Sequence, residues 1–97
     1  MKTRERYKIN IPIEFRDEKA RSHKGILDNI SIEGMCFNSM KHLNEGKNLD
    51  IFILKQDMPV KAAGTVMWCK RSTKHYQVGV KFSEAIRPVE IESVFSS

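Results

Sequence analysis

Six short strand-like runs, separated by turn residues and with no helical pattern between them, predict an all-β fold: a small six-stranded antiparallel β-barrel with a short C-terminal helix. Two observations carry that prediction. Ile9, Ile11, Ile13 and Phe15 alternate with polar or turn-forming neighbours, and so do Tyr76, Val78, Val80 and Phe82. A period of two is that of a strand with one face buried. Only after Phe82 does the spacing change, where Pro88 suits a first helical turn and Ile91, Val94 and Phe95 fall at i, i+3, i+4.

The elements follow in chain order. Pro12 cannot donate to a ladder, so its side of the first strand is expected at an edge or an irregularity. Residues 23–30 read as the second strand and Met35 to Asn38 as the third, with Asn29-Ile30-Ser31-Ile32-Glu33-Gly34 between their apolar parts. Asn44 to Asn48 is a turn by composition and leads into Leu49 to Leu54. Met58-Pro59 opens a long strand through Val60, Ala62, Gly64, Val66 and Trp68, a spacing that puts Trp68 in phase with the buried positions. Residues 71–74 form a polar hairpin loop before the last strand.

Ninety-seven residues make one domain with a single core, here residues 1–97. No apolar run approaches the roughly 20 residues of a membrane span, and the N-terminus carries no apolar leader, so a cytoplasmic location without membrane insertion is expected. Cys36 and Cys69 lie in separate runs without a second ligand pair, which fits reduced packing thiols rather than zinc. His23, His42 and His75 share no ligand spacing. Ser31 has neither a nucleophile elbow nor a spaced His/Asp pair, and no enzyme is expected.

Charge is uneven. Residues 1–24 hold eight Lys/Arg against four Asp/Glu, and Lys70, Arg71 and Lys74 form a second basic cluster. Such clusters favour an anionic partner, whether nucleotide, nucleic acid or acidic protein face. The Asn29–Gly34 segment is the best candidate site. Asn29 and Ser31 bring an amide and a hydroxyl to a turn, and Gly34 tolerates a positive φ or a close backbone approach. An ordinary Asx/Ser turn is the structural alternative.

Several motifs together resemble the PilZ domain, the bacterial receptor module for cyclic di-GMP. That family carries RxxxR entering its first strand, then (D/N)xSxxG, a VxW strand and a closing YxVGVxF strand. Here Asn29, Ser31 and Gly34 complete the second motif, Val66-Met67-Trp68 matches the third, and Tyr76 to Phe82 the fourth. The resemblance runs from Lys2 to Phe82. The arginine motif departs from the pattern: Arg6-Tyr7-Lys8-Ile9 pairs Arg6 with Lys2, while the other register pairs Arg4 with Lys8. Either way one arginine becomes lysine, which keeps the charge and loses the planar fork that bonds bidentately to phosphate or guanine.

The resemblance implies a receptor or adaptor whose ligand is cyclic di-GMP, with no cofactor, held by Lys2, Arg4, Arg6, Asn29, Ser31 and Gly34, with Lys8 and Trp68 as further contacts. Residues 1–8, rich in like charge, are expected to be a flexible segment that orders on binding and signals to a protein partner. One or two ligand molecules are compatible with the family. The alternatives are a degenerate scaffold that binds only protein, and a small nucleic-acid-binding barrel. Against the latter, the few aromatics sit largely at core-phase positions instead of forming a stacking platform.

Overall fold

The computed structural model describes residues 7–54 and 59–95, with side chains described for 10–54 and 59–92. The chain forms six strands and one helix: β1 (Tyr7–Arg16), β2 (Ser22–Ile30), β3 (Gly34–Ser39), β4 (Asn48–Ile53), β5 (Val60–Arg71), β6 (Tyr76–Phe82) and α1 (Pro88–Phe95). They close into an antiparallel barrel in the order β1-β2-β3-β6-β5-β4. Closure runs through β1 and β4, from Ile13 opposite Ile53 to Arg16 opposite Asp50. No helix among the described residues is long and apolar enough to cross a membrane.

The alternating residues fill the interior. Ile13, Phe15, Leu27, Phe37, Ile51 and Val78 are fully buried, and the Phe15 and Phe37 rings tilt together with centroids 5.0 Å apart. Pro12 lies where its missing donor predicts an irregularity. The β1–β4 ladder ends beside it, with the Leu54 N–H donating to the Pro12 carbonyl at 3.0 Å, so the missing proline N–H leaves no gap in the ladder. At the other end of the chain, Pro88 starts α1 and the Glu90 carboxylate accepts from the Arg87 N–H at 3.0 Å. Ile86 and Ile91 are buried and seat the helix on the barrel.

Three register shifts interrupt the ladders. An extra β1 residue lies between Lys8 and Ile11 against β2, Asp28 is extra on β2 against β3, and Met67 is extra on β5 against β6. A bulge of this kind bends its strand and swaps the faces of the residues beyond it. Trp68 is therefore not in the buried phase that its spacing with Gly64 and Val66 suggests. Val66 is buried, Met67 is exposed, and Trp68 emerges half-buried on the outer face while Cys69 packs toward the core.

The β1–β2 hairpin is held by one carboxylate. Asp17 accepts from the backbone N–H groups of Lys19 and Arg21, each at 2.9 Å, and lies 3.2 Å from His23 Nε2. These bonds hold Ala20 at φ 63°, in the left-handed region. The Arg21 N–H foremost, opposed by partial desolvation and aided by His23 and Lys19, holds the Asp17 carboxyl at about 2, below its ordinary 3.8. A carboxyl depressed on folding stabilises the fold fully above its unfolded pKa, and the contribution is lost as pH falls through the folded value. Asp17→Asn should therefore lower the melting temperature at neutral pH, and the gap to the parent protein should close as pH falls from about 4 toward about 2. Paired thermal melts across that window test this; a gap that persists unchanged at the acid end would assign the effect to something other than the ionised carboxylate.

Candidate functional site

The three register shifts flank a single cross-strand row. Lys8 pairs with Asn29, Asn29 with Cys36, Cys36 with Gly79, and Gly79 with Trp68. The next row, Ile30, Met35, Val80 and Val66, is buried, so the Asn29–Trp68 part of this row belongs to the outer face. Above this row lies an open cleft of about 700 Å³, lined by Asn29, Gly34, Cys36, Trp68, Gly79 and Lys81 among others. That volume lies within the roughly 300–1,000 Å³ of small-molecule sites.

The floor of the cleft depends on a glycine. A Cβ on Gly79 would run into the Trp68 indole, so the ring lies directly over the β6 backbone. Lys70 Nζ stands 5.3 Å from the Trp68 ring centroid and adds a cation beside the aromatic surface. Lys81, in register opposite Gly34, brings a second cation, and Glu33 an acid, to the same cleft.

The turn between β2 and β3 is tied down from three sides. The Ser31 N–H donates to the Gly34 carbonyl at 2.8 Å, the Phe82 N–H to the Glu33 carbonyl at 2.8 Å, and the Ile86 N–H to the Ile32 carbonyl at 3.0 Å. Gly34 does not have a positive φ; it is required by close approach, since a Cβ there would overlap the Val80 carbonyl. Ser31 departs from the expectation of two polar side chains presented together. It is buried, its hydroxyl points to the Gly34 carbonyl at 3.4 Å, and it does not line the cleft. Asn29 does line it, with its amide donating to Asp28 at 3.1 Å.

Of the residues singled out from sequence, the structure thus gathers Asn29, Gly34 and Trp68 at one cleft, with Lys8 in register opposite Asn29. Lys2, Arg4 and Arg6 lie outside the described residues. Cys36, Met67, Gln77, Glu33 and Lys81 also line the cleft, and sequence reasoning does not single them out. Gln77 and Lys81 lie within the Tyr76–Phe82 run, but only the β3–β6 register brings them beside the turn. Cys36 is thus a cleft residue as well as a packing thiol, and neither it nor Cys69 is in a disulfide. Among the described residues no cluster of His, Cys, Asp and Glu could hold a metal ion.

Comparison with known proteins agrees with this architecture. The PilZ domain profile matches residues 2–95. The chain superposes on a PilZ domain with c-di-GMP of YcgR from Escherichia coli with a TM-score of 0.76 at 12% identity, covering 94% of this chain and 84% of that one. It superposes on the Bacillus subtilis inhibitor of motility (MotI/DgrA) with a TM-score of 0.74 at 12% identity, covering 98% of this chain and 48% of the other. A PilZ domain of CeSA from a cellulose-synthesizing bacterium gives 0.64 at 14% identity, with 94% and 95% covered. No curated protein matches by sequence. With a profile match spanning almost the whole chain and a closed six-stranded barrel of the same fold, this protein belongs to the PilZ domain family.

Proposed function

We propose that this domain is a cyclic di-GMP receptor that binds the dinucleotide in the cleft over the Lys8–Asn29–Cys36–Gly79–Trp68 row and signals to a partner protein. The observation that carries the proposal is the convergence of an outward-facing indole, an asparagine of the NxSxxG turn and Lys81 on one open cleft, with Lys70 beside the indole. Each part suits a different piece of the ligand. An aromatic face stacks a base whatever its sequence, lysines attract the two phosphates, and an amide matches a guanine edge. Membership of the PilZ family supports the same ligand, as does the likeness to the Escherichia coli YcgR domain with c-di-GMP.

In this reading Arg6, together with Lys2 or Arg4, closes over the ligand from the N-terminal side of β1, and Ser31 acts indirectly by holding the turn that positions Asn29. β1 begins at Tyr7, opposite Ile30 at the edge of that turn. Ligand that bridges the segment to the cleft creates a surface absent from the free protein, which a partner can read. The domain does this as a receptor or adaptor, without catalysis. A second reading, a scaffold that binds only protein, is favoured by the arginine motif, in which each register replaces one arginine by lysine.

Calorimetric titration with cyclic di-GMP separates the two, since the scaffold reading gives no binding heat. Arg6→Ala should weaken binding about ten- to a hundredfold, the loss of a charge-assisted contact of about 1.5–3 kcal/mol, with little change in melting temperature. An unaltered affinity in the folded variant would remove Arg6 from the site.

Restoring the fork distinguishes the registers. Lys2→Arg should tighten binding if Arg6 is the second arginine, and Lys8→Arg should do so if Arg4 is the first. If neither changes the affinity, the lysine is not what limits this site.

Trp68 is the single tryptophan, so its fluorescence reports the cleft directly. Saturating ligand should quench it, and Trp68→Ala should cost about 1–3 kcal/mol of binding, as lost stacking does elsewhere. Unquenched emission at saturation would place the base away from the indole.

A further inference from the structure

The second basic cluster has no part in the cleft apart from Lys70. Across the three adjacent strands β3, β6 and β5, charge has one sign. No Asp or Glu occurs between Gly34 and Asn44 or between Met58 and Ser83, while Lys41, Lys61, Lys70, Arg71, Lys74 and Lys81 do. The carboxylates that pair with cations stand on other elements: Asp17 with Arg21, Glu18 with Lys47, and Glu90 with Arg87.

At the end of these strands distant from the NxSxxG turn, Ser39, Tyr76 and Arg71 form the last row. That row lies three residues along β3 from the cleft row, about 10 Å at the rise of a strand. The loops beyond it carry Met40, Lys41 and His42 on one side and the hairpin Ser72–His75 on the other. Both are held by short local bonds. The Ser39 hydroxyl accepts from the Lys41 N–H and donates to the Lys41 carbonyl, each at 2.9 Å, and the Ser72 N–H donates to the His75 carbonyl at 2.7 Å. His42 packs edge-on against Tyr76 with centroids 5.3 Å apart. Lys41, Arg71 and Lys74 are exposed, and Met40 is 78% exposed, more than any other large apolar side chain in the described structure.

We infer that this end of the barrel is a docking surface for an acidic segment of a partner protein that carries an apolar residue among its carboxylates. Charge complementarity selects the sign of the partner: three exposed cations, Arg71 at the end of β5 and Lys41 and Lys74 on the adjoining loops, with no acid on β3, β6 or β5, present a single-signed field. The exposed methionine selects the class. Met40 offers an adaptable apolar contact, as methionines do at protein-binding surfaces. The aromatic at this end, Tyr76, is half-buried under His42, so a stacking platform for nucleic acid bases is lacking there. The surface shares no residue with the cleft, so it stands independently of the nucleotide reading.

Fluorescence anisotropy with the full chain tests this. The probe is a labelled glutamate-rich peptide with two central leucines, beside the same peptide with both leucines changed to serine. The leucine peptide should bind, more weakly as salt is raised. The triple variant Lys41→Glu/Arg71→Glu/Lys74→Glu should lose more than about tenfold in affinity. Met40→Ser, which leaves charge unchanged, should lose about fivefold, as should the serine peptide on the parent protein. Cyclic di-GMP titrated into the triple variant should behave as with the parent protein, which separates failure here from failure of the nucleotide reading. The inference is overturned if the triple variant binds the leucine peptide as the parent does. Equal binding of leucine and serine peptides would reduce the surface to unspecific charge and overturn it too. Charge-dependent binding of single-stranded RNA or anionic vesicles without peptide binding would overturn it in favour of another class of partner.

Discussion

Closing six short strands into a barrel forces them to coil sharply, and the rest of this molecule follows from where that strain is relieved. A flat sheet cannot meet its own edge; bulges supply the extra twist. Here the relief occurs beside one row, with an extra residue on β1, on β2 and on β5. The same distortions that allow β1 to meet β4 also turn Asn29 and Trp68 outward. The barrel and its cleft are two consequences of one geometric demand.

The two glycines of the cleft both act through distance. Gly34 lets the β2–β3 turn lie against the Val80 carbonyl, and Gly79 lets the Trp68 ring lie on the β6 backbone. Neither has a positive φ, so their service is the absence of a Cβ rather than an unusual backbone angle. Around them the polar groups are anchored rather than loose. The turn is bonded to β6 at Phe82 and to the start of the helical region at Ile86, so α1 and the cleft are mechanically joined.

Electrostatics then divides the surface. Acids gather around β1, β4 and the helical end, where several are tied to neighbouring cations, while β3, β6 and β5 carry no carboxylate and their charges are lysine and arginine alone. The cleft occupies the turn-proximal part of that cationic face and the hairpin loops the other part.

Much of this was legible in the chain itself. Period-two alternation marks the strands because a half-buried strand needs it, and all six strands and the helix lie where alternation, turn residues and Pro88 place them. The NxSxxG turn was legible too, since few residue types serve at such positions. Tertiary structure decided the facing. A single inserted residue, Met67, reversed the phase of Trp68 and took it from the expected core position to the cleft floor, and no local pattern announces a bulge because it answers to the partner strand. It also decided that Ser31 closes its turn from within while Gln77, Lys81 and Cys36 join the cleft. These residues are far apart in the chain, and register across β2, β3, β6 and β5 is a property of the closed barrel, which no single strand carries alone.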